Sequence, residues 1–398
     1  MAYTETHYTS WFDRLKNSVA GILTGIALIA FATWLLWWNE GDTFKTAGAI
    51  GEAELVTQDV PDISNLNSEL EGKVIHATGF ATTDEVLNDP IFGIKATAIK
   101  LERDVEFYQW HENSRTEKRK KLGGGEEEIT TYTYDKGWSS SKINSSNFHD
   151  PSYRDKNFTL ADVDDNTIVA QNVKFGAYKL PSFLKNQIGG AKPITINEYD
   201  KEAIKNILHV PSNYVYTNFN GVEALIHASG SVIYLGAEPS NPKIGDVRIT
   251  FKETPPADIT IIAQVLRDTF EEFRASNGYR FSRLSMGTVG QATMFEDARS
   301  ENNLMAWVFR AVGAALVMIG LGMIFKPLSV LLDVIPILGD IVGAGAGVVS
   351  FILGLVWSLI VIAIAWLRYR PLVAGILIAV AVVLMILLRG KGKKAKEF

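Results

Sequence analysis

Two stretches without charge decide what this chain can be. Residues 19–38 hold 20 positions with no acidic or basic side chain. A helix rises 1.5 Å per residue, so such a run crosses a hydrocarbon core of about 30 Å. Trp34, Trp37 and Trp38 gather at its end, where indole rings favour the headgroup boundary, and Asn39 to Asp42 then return the chain to water. The run is too long, and its exit too bulky, for a cleaved signal peptide. A second charge-poor region lies near the C-terminus and divides into spans at 305–325, 341–367 and 372–388, which makes four crossings. Between the first two of these, residues 326–340 are apolar but contain Pro327 and Pro336, with Asp333 and Asp340. Proline removes a helix donor, so this piece is expected to be an interfacial or re-entrant turn.

Lysine and arginine near the helix ends set the orientation. Residues 1–18 form a short N-terminus carrying Arg14 and Lys16. With Lys326 and a basic tail at 389–398, they put both termini in the cytoplasm. Residues 39–304 are then an extracytoplasmic or lumenal domain of about 260 residues. Its size suffices to bury a core without covalent staples. The tail lysines, Lys391, Lys393, Lys394 and Lys396, are placed to meet anionic lipid headgroups. Glycines at 21 and 25, and at 339, 343 and 347, recur every four residues, a spacing that lets helix backbones approach closely within one chain or between copies.

The domain between the spans reads as α+β with mainly antiparallel sheet. Alternating, β-branched segments predict strands at 73–81, 98–112, 128–134, 213–219, 222–228, 231–235, 246–252 and 259–266. Asn220 and Gly221 form a hairpin signal. Gly123 to Gly125, flanked by opposite charge runs, predict a second, solvated hairpin tip. Short helices are expected at 181–187, 201–208 and 267–276.

Composition narrows the chemistry. The chain has no cysteine, which removes disulfides, thiol nucleophiles and thiolate metal sites, and its net charge of −5 offers no general attraction to nucleic acid. No phosphate loop, dinucleotide fingerprint, nucleophile elbow or paired-histidine metal helix occurs. Asp162 to Asn166 begin like a calcium loop, but Thr167 and Val173 stand where glycine and a bidentate glutamate are needed. No catalytic residue, cofactor or metal site is therefore assigned. Asp333 and Asp340 remain the ionisable residues of interest, because a carboxylate in an apolar region is costly. They would serve as an interfacial motif with Pro336, Asp340 capping the next helix. A shared-proton hydrolase pair is the alternative.

A series of residues resembles the transmembrane protein 43 (LUMA) family along nearly the whole chain. It runs through Asn39 to Gly41; Asp89, Pro90 and Gly93; Val105 to Trp110; Tyr132, Tyr134 and Trp138; and Ile143 to Phe148. It continues with Gly245 to Phe251; Trp307, Arg310 and Ala311; Asp333 to Pro336 and Asp340; and Tyr369 to Leu372. The resemblance implies a four-span protein with a large non-cytosolic domain. Animal members are associated with the endoplasmic reticulum and inner nuclear membrane, self-associate, and bind lamins and emerin. This chain departs from them at residues 168–205 and in the charged glycine-rich hairpin, and its short N-terminus has no long arm for a nuclear partner. A prokaryotic homologue in the cytoplasmic (inner) membrane fits at least as well.

The functional expectation is a non-catalytic oligomeric scaffold in the lipid bilayer, presenting its domain to other membrane proteins. A channel, transporter or conductance regulator is the second reading. An intramembrane hydrolase using Asp333 and Asp340 is the third.

Overall fold

The computed structural model describes residues 2–212, 214 and 221–372. The expected span at 372–388 thus lies outside the described residues apart from its first position, as do Lys391, Lys393, Lys394, Lys396, Asn220 and nearly all of the expected strand at 213–219.

Among the described residues three helices are long and apolar enough to cross a membrane: α1 (Trp11–Val56), α2 (Gln291–Leu332) and α3 (Pro336–Tyr369). Ser10 starts α1, its side chain accepting from the Asp13 amide at 3.1 Å. Asp13 also places a negative charge at the helix's positive end. The helix then runs past the expected exit at Trp38 into the domain, where Ile50 and Ala53 pack with Met294, Phe295 and Ala298 of α2 and with Val74 and Ile262. The break expected around Pro327 comes later. The chain stays helical through that proline and turns at Asp333 to Ile335, and Pro336 opens α3. That position suits proline, since a first-turn N–H has no intrahelical partner. Asp340 therefore lies inside α3 rather than capping it.

The domain is built on two sheets. The larger runs β1-β4-β3-β7-β6-β5, formed by Tyr3–Thr9 (β1), Glu126–Ser139 (β4), Lys100–Lys120 (β3), Val247–Thr254 (β7), Val232–Leu235 (β6) and Ile226–Ser229 (β5). The other centres on β2 (Val74–Thr82) and β8 (Ala257–Leu266), with β9 (Arg283–Met286) also pairing β8. Alternation explains the core. Val247, Ile249 and Phe251 of β7, and Leu101, Val105 and Phe107 of β3, point inward to meet Ile259, Ile261 and Ala263 of β8. Each large side chain removed from water contributes about 1.5–3 kcal/mol.

Three expectations change. Residues 222–225 form a 3₁₀ turn before strand β5. The segment at 267–276 is not helical: Thr269–Glu271 folds back on β8 through Arg267, whose φ is 56°, and buries Phe270. Phe270 and Phe273 sit at helical spacing, but sheet pairing overrides local propensity. The third change is the largest. Strands β3 and β4 run on beyond the core, and β1, which no sequence signal announced, adds to β4 from Tyr3↔Tyr132 to Thr9↔Glu126. From Phe107, where pairing with β7 ends, to Lys120 this arm extends roughly 43 Å at 3.3 Å per residue, and it is three-stranded from Ser114 onward.

Candidate functional site

The apolar bundle is closed at each end by charged side chains. At the domain end, Glu40 of α1 is 1% exposed. Arg310 of α2 donates to it from Nε at 2.6 Å and Nη2 at 2.8 Å, and the Trp366 indole of α3 donates to Oε2 at 2.7 Å. Two-point contact fixes the planar guanidinium, which also lies 4.9 Å from the Trp307 ring centre. Asn39 donates to the Ala306 carbonyl at 3.1 Å. A Cβ on Gly41 would stand 2.8 Å from the Tyr369 ring, so the backbone there is pressed against α3. Glu40 was expected to leave the lipid for water; instead it ties all three helices. Among the residues that carry the family resemblance, Asn39 to Gly41, Trp307, Arg310 and Tyr369 meet in this one place.

The far end is closed by the arm. Asp333 is also 1% exposed and accepts from Arg14 Nη2 at 2.6 Å and Lys120 Nζ at 2.7 Å. Lys120 Nζ reaches Asp340 at 2.6 Å as well. Burial works against the Lys120 charge, but its bonds to both aspartates outweigh this and raise its pKa above the ordinary lysine value. The two aspartates therefore share one ammonium as their common ion-pair partner. The tip expected to be solvated is docked: Arg14 donates to the Gly124 carbonyl at 2.5 Å, and the Gly123 amide donates to Val334 O at 3.2 Å. Gly124, at φ 81°, leaves no room for a Cβ beside Trp11, whose indole donates to Val330 O at 2.9 Å. Arg14 and Glu40 lie roughly 39 Å apart along α1 at 1.5 Å per residue. The arm therefore passes the whole apolar belt.

Between these layers the helices touch through glycine. A Cβ on Gly25 would come 2.6 Å from the Gly320 carbonyl, and one on Gly354 2.5 Å from Met318. Gly21 lies against Met323 and Gly343 against Ser329 at ordinary distances, while Gly347 has open space. Gly339 abuts the Asp333 carboxylate beside Pro336. Gly354, where the glycine series of the third helix continues, does meet a neighbouring helix, whereas Gly320 escaped the sequence reading because its partner lies on another helix, where spacing along one helix is silent.

Polar groups also secure the arm's base and the domain. Glu112 accepts from the Tyr134 hydroxyl at 2.5 Å, the His149 amide at 2.7 Å and the His149 ring at 2.9 Å. Burial opposes the Glu112 charge, yet these bonds lower its pKa, while burial and the Glu112 bond push Tyr134 up to about 12. Asp246, fully buried, accepts from Tyr214 and Tyr234; burial raises its pKa. Asp89 pairs with Arg103 at 2.6 Å. Lys100 and Lys185 have their charge disfavoured by burial and donate to main-chain carbonyls. Asp162 and Asp164, where a calcium loop begins to form in sequence, instead face Lys142. Among the described residues no group of three or more His, Asp or Glu is arranged to hold a metal.

Comparison with known proteins gives one answer. Curated relatives include Transmembrane protein 43 from Rattus norvegicus, 27% identical over 95% of this chain and 92% of the relative. The Homo sapiens protein of that name is 26% identical with the same coverage. A Transmembrane protein 43 homolog from Drosophila melanogaster is 23% identical over 92% of this chain and 93% of its own length. No solved structure matches. The family model for Transmembrane protein 43 matches residues 107–371, from the base of the arm through the end of α3, and this integral membrane protein belongs to that family.

Proposed function

We propose that the protein is a non-catalytic oligomeric scaffold of four spans. Both termini are cytoplasmic, and the body of the domain is held outside the cytoplasm for other membrane proteins to bind. The arm carries the oligomeric part of this reading. Its distal strands are polar on both faces, and among the described residues β3 pairs only with β4 past Trp110, where its bonds to Gly245, Asp246 and Asn157 end. Hydrocarbon tolerates neither unpaired main-chain groups nor such side chains. A single copy cannot be ringed by lipid with its arm beside the belt. Copies that turn apolar helix faces outward and arms toward one another give each arm an aqueous flank. The same argument favours a channel or conductance regulator as the second reading, because water at membrane depth is what ion passage requires. The ammonium between Asp333 and Asp340 weighs against the hydrolase reading.

The absence of cysteine makes a direct test practical. Single cysteines at Thr4 and Lys118, in the full chain reconstituted in bilayers, should crosslink between copies, and native mass spectrometry should show an oligomer. Monomer alone, with no crosslink at either position, would remove the scaffold assembly. Ion flux through liposomes that depends on the arm would move the second reading to first place.

A further inference from the structure

A cavity of about 290 Å³ lies where the arm approaches the bundle, lined by Arg14 and Ser18 of α1, Lys326 of α2 and Lys118 of β3. Gly21 and Met323 form its apolar side. We propose that this cavity is a binding site for the phosphate of an anionic phospholipid, held by Lys326 with Lys118 and Arg14, its acyl chains lying along Gly21 and Met323. Glu126 and Glu128 also line it and would repel an anion, but they are already engaged. Glu126 sits 3.3 Å from Arg14 and 3.7 Å from Lys118, and Glu128 is 3.1 Å from Lys118. Lys326 differs. It rises from an apolar helix, lines the cavity, and among the described residues has no carboxylate within ion-pair distance.

Position supports a lipid. Lys326 lies roughly 9 Å inside the end of α2 at 1.5 Å per residue, a depth from which a lysine ammonium reaches the headgroup layer. A wall that joins cations of both the arm and the helices to the apolar Gly21 and Met323 fits an amphiphile better than free phosphate, which has no use for those two residues. An arm that cannot lie in hydrocarbon would here border a headgroup.

Native mass spectrometry of the full chain, with phosphatidylglycerol or phosphatidylcholine added in detergent, tests this directly. Wild type should retain phosphatidylglycerol preferentially, and Lys326→Ala should weaken that retention about five-fold, the worth of one lysine at an anionic surface. Lys326→Arg should restore it. Lys16→Ala, exposed and outside the cavity lining, should leave it unchanged, and equal melting temperatures for the variants confirm that all are folded. Equal phosphatidylglycerol retention by wild type and Lys326→Ala would overturn the site. Inorganic phosphate competing at millimolar concentration, with no preference between the two lipids, would overturn the lipid in favour of free phosphate.

Discussion

The two ends of the bundle are closed by similar residues in different ways. At the domain end Glu40, Arg310 and Trp366 all come from helices, so this layer forms whenever the bundle forms. At the far end Asp333 and Arg14 come from helices but Lys120 comes from the domain's arm, and Asp340 is 66% exposed. One layer is part of the bundle's packing. The other is a contact between separately folded parts, and such contacts open at lower free energy than the core.

Removing Glu40 should have the largest effect. Glu40→Ala leaves a largely buried guanidinium without its anion, and breaking a buried pair by deleting one partner costs about 3–5 kcal/mol. Thermal unfolding in detergent should show a large drop, with α1, α2 and α3 loosening together. If Asp333→Ala costs as much, the far layer is as much a part of the bundle as the near one, and the contrast is lost.

The far layer itself should respond unevenly. Asp333 is buried and accepts two charged hydrogen bonds, each typically worth about 1.5–3 kcal/mol in such a setting. Asp333→Ala should release the arm, seen as faster trypsin cleavage at Lys118 to Lys121 while the domain body stays protected. The exposed Asp340 shares Lys120 and should matter by less than about 1 kcal/mol. Equal cleavage of the two variants would mean that docking does not depend on the buried carboxylate.

The legibility of the molecule follows the same division. The apolar helices and most strands were readable because burial imposes a period along one segment: residues 19–38 lack charge, and Val247, Ile249 and Phe251 alternate. The layers were not readable, since Glu40 meets Arg310 across 270 positions and Lys120 meets Asp333 across 213. Asp333 stood out as a carboxylate in an apolar stretch, whereas Glu40 looked like an ordinary exit into water. Strand β1 was hidden for another reason. Its residues are exposed on both faces, so no hydrophobic alternation marked them, and only the neighbouring β4 edge makes them a strand.

The smallest predicted effect concerns the base of the arm, where Glu112 joins β3 to Tyr134 and His149. The folded-state pKa of Glu112 is lowered, so the unfolded chain binds its proton more readily. Stability from this carboxylate is then fully present above the unfolded value of about 4.3 and is lost as pH falls through the lower folded value. Hydrogen exchange at the His149 amide, bonded to Glu112 at 2.7 Å, reports the loss locally. Its protection should fall below about pH 4 in wild type and stay flat across that range in Glu112→Gln, whose side chain does not titrate. If acid frees the tip at Lys120 while the His149 amide remains protected, the far contact opens alone and the arm is hinged beyond its base. If both open together, the arm moves as one body, and the contrast between the two ends of the bundle extends along its whole length.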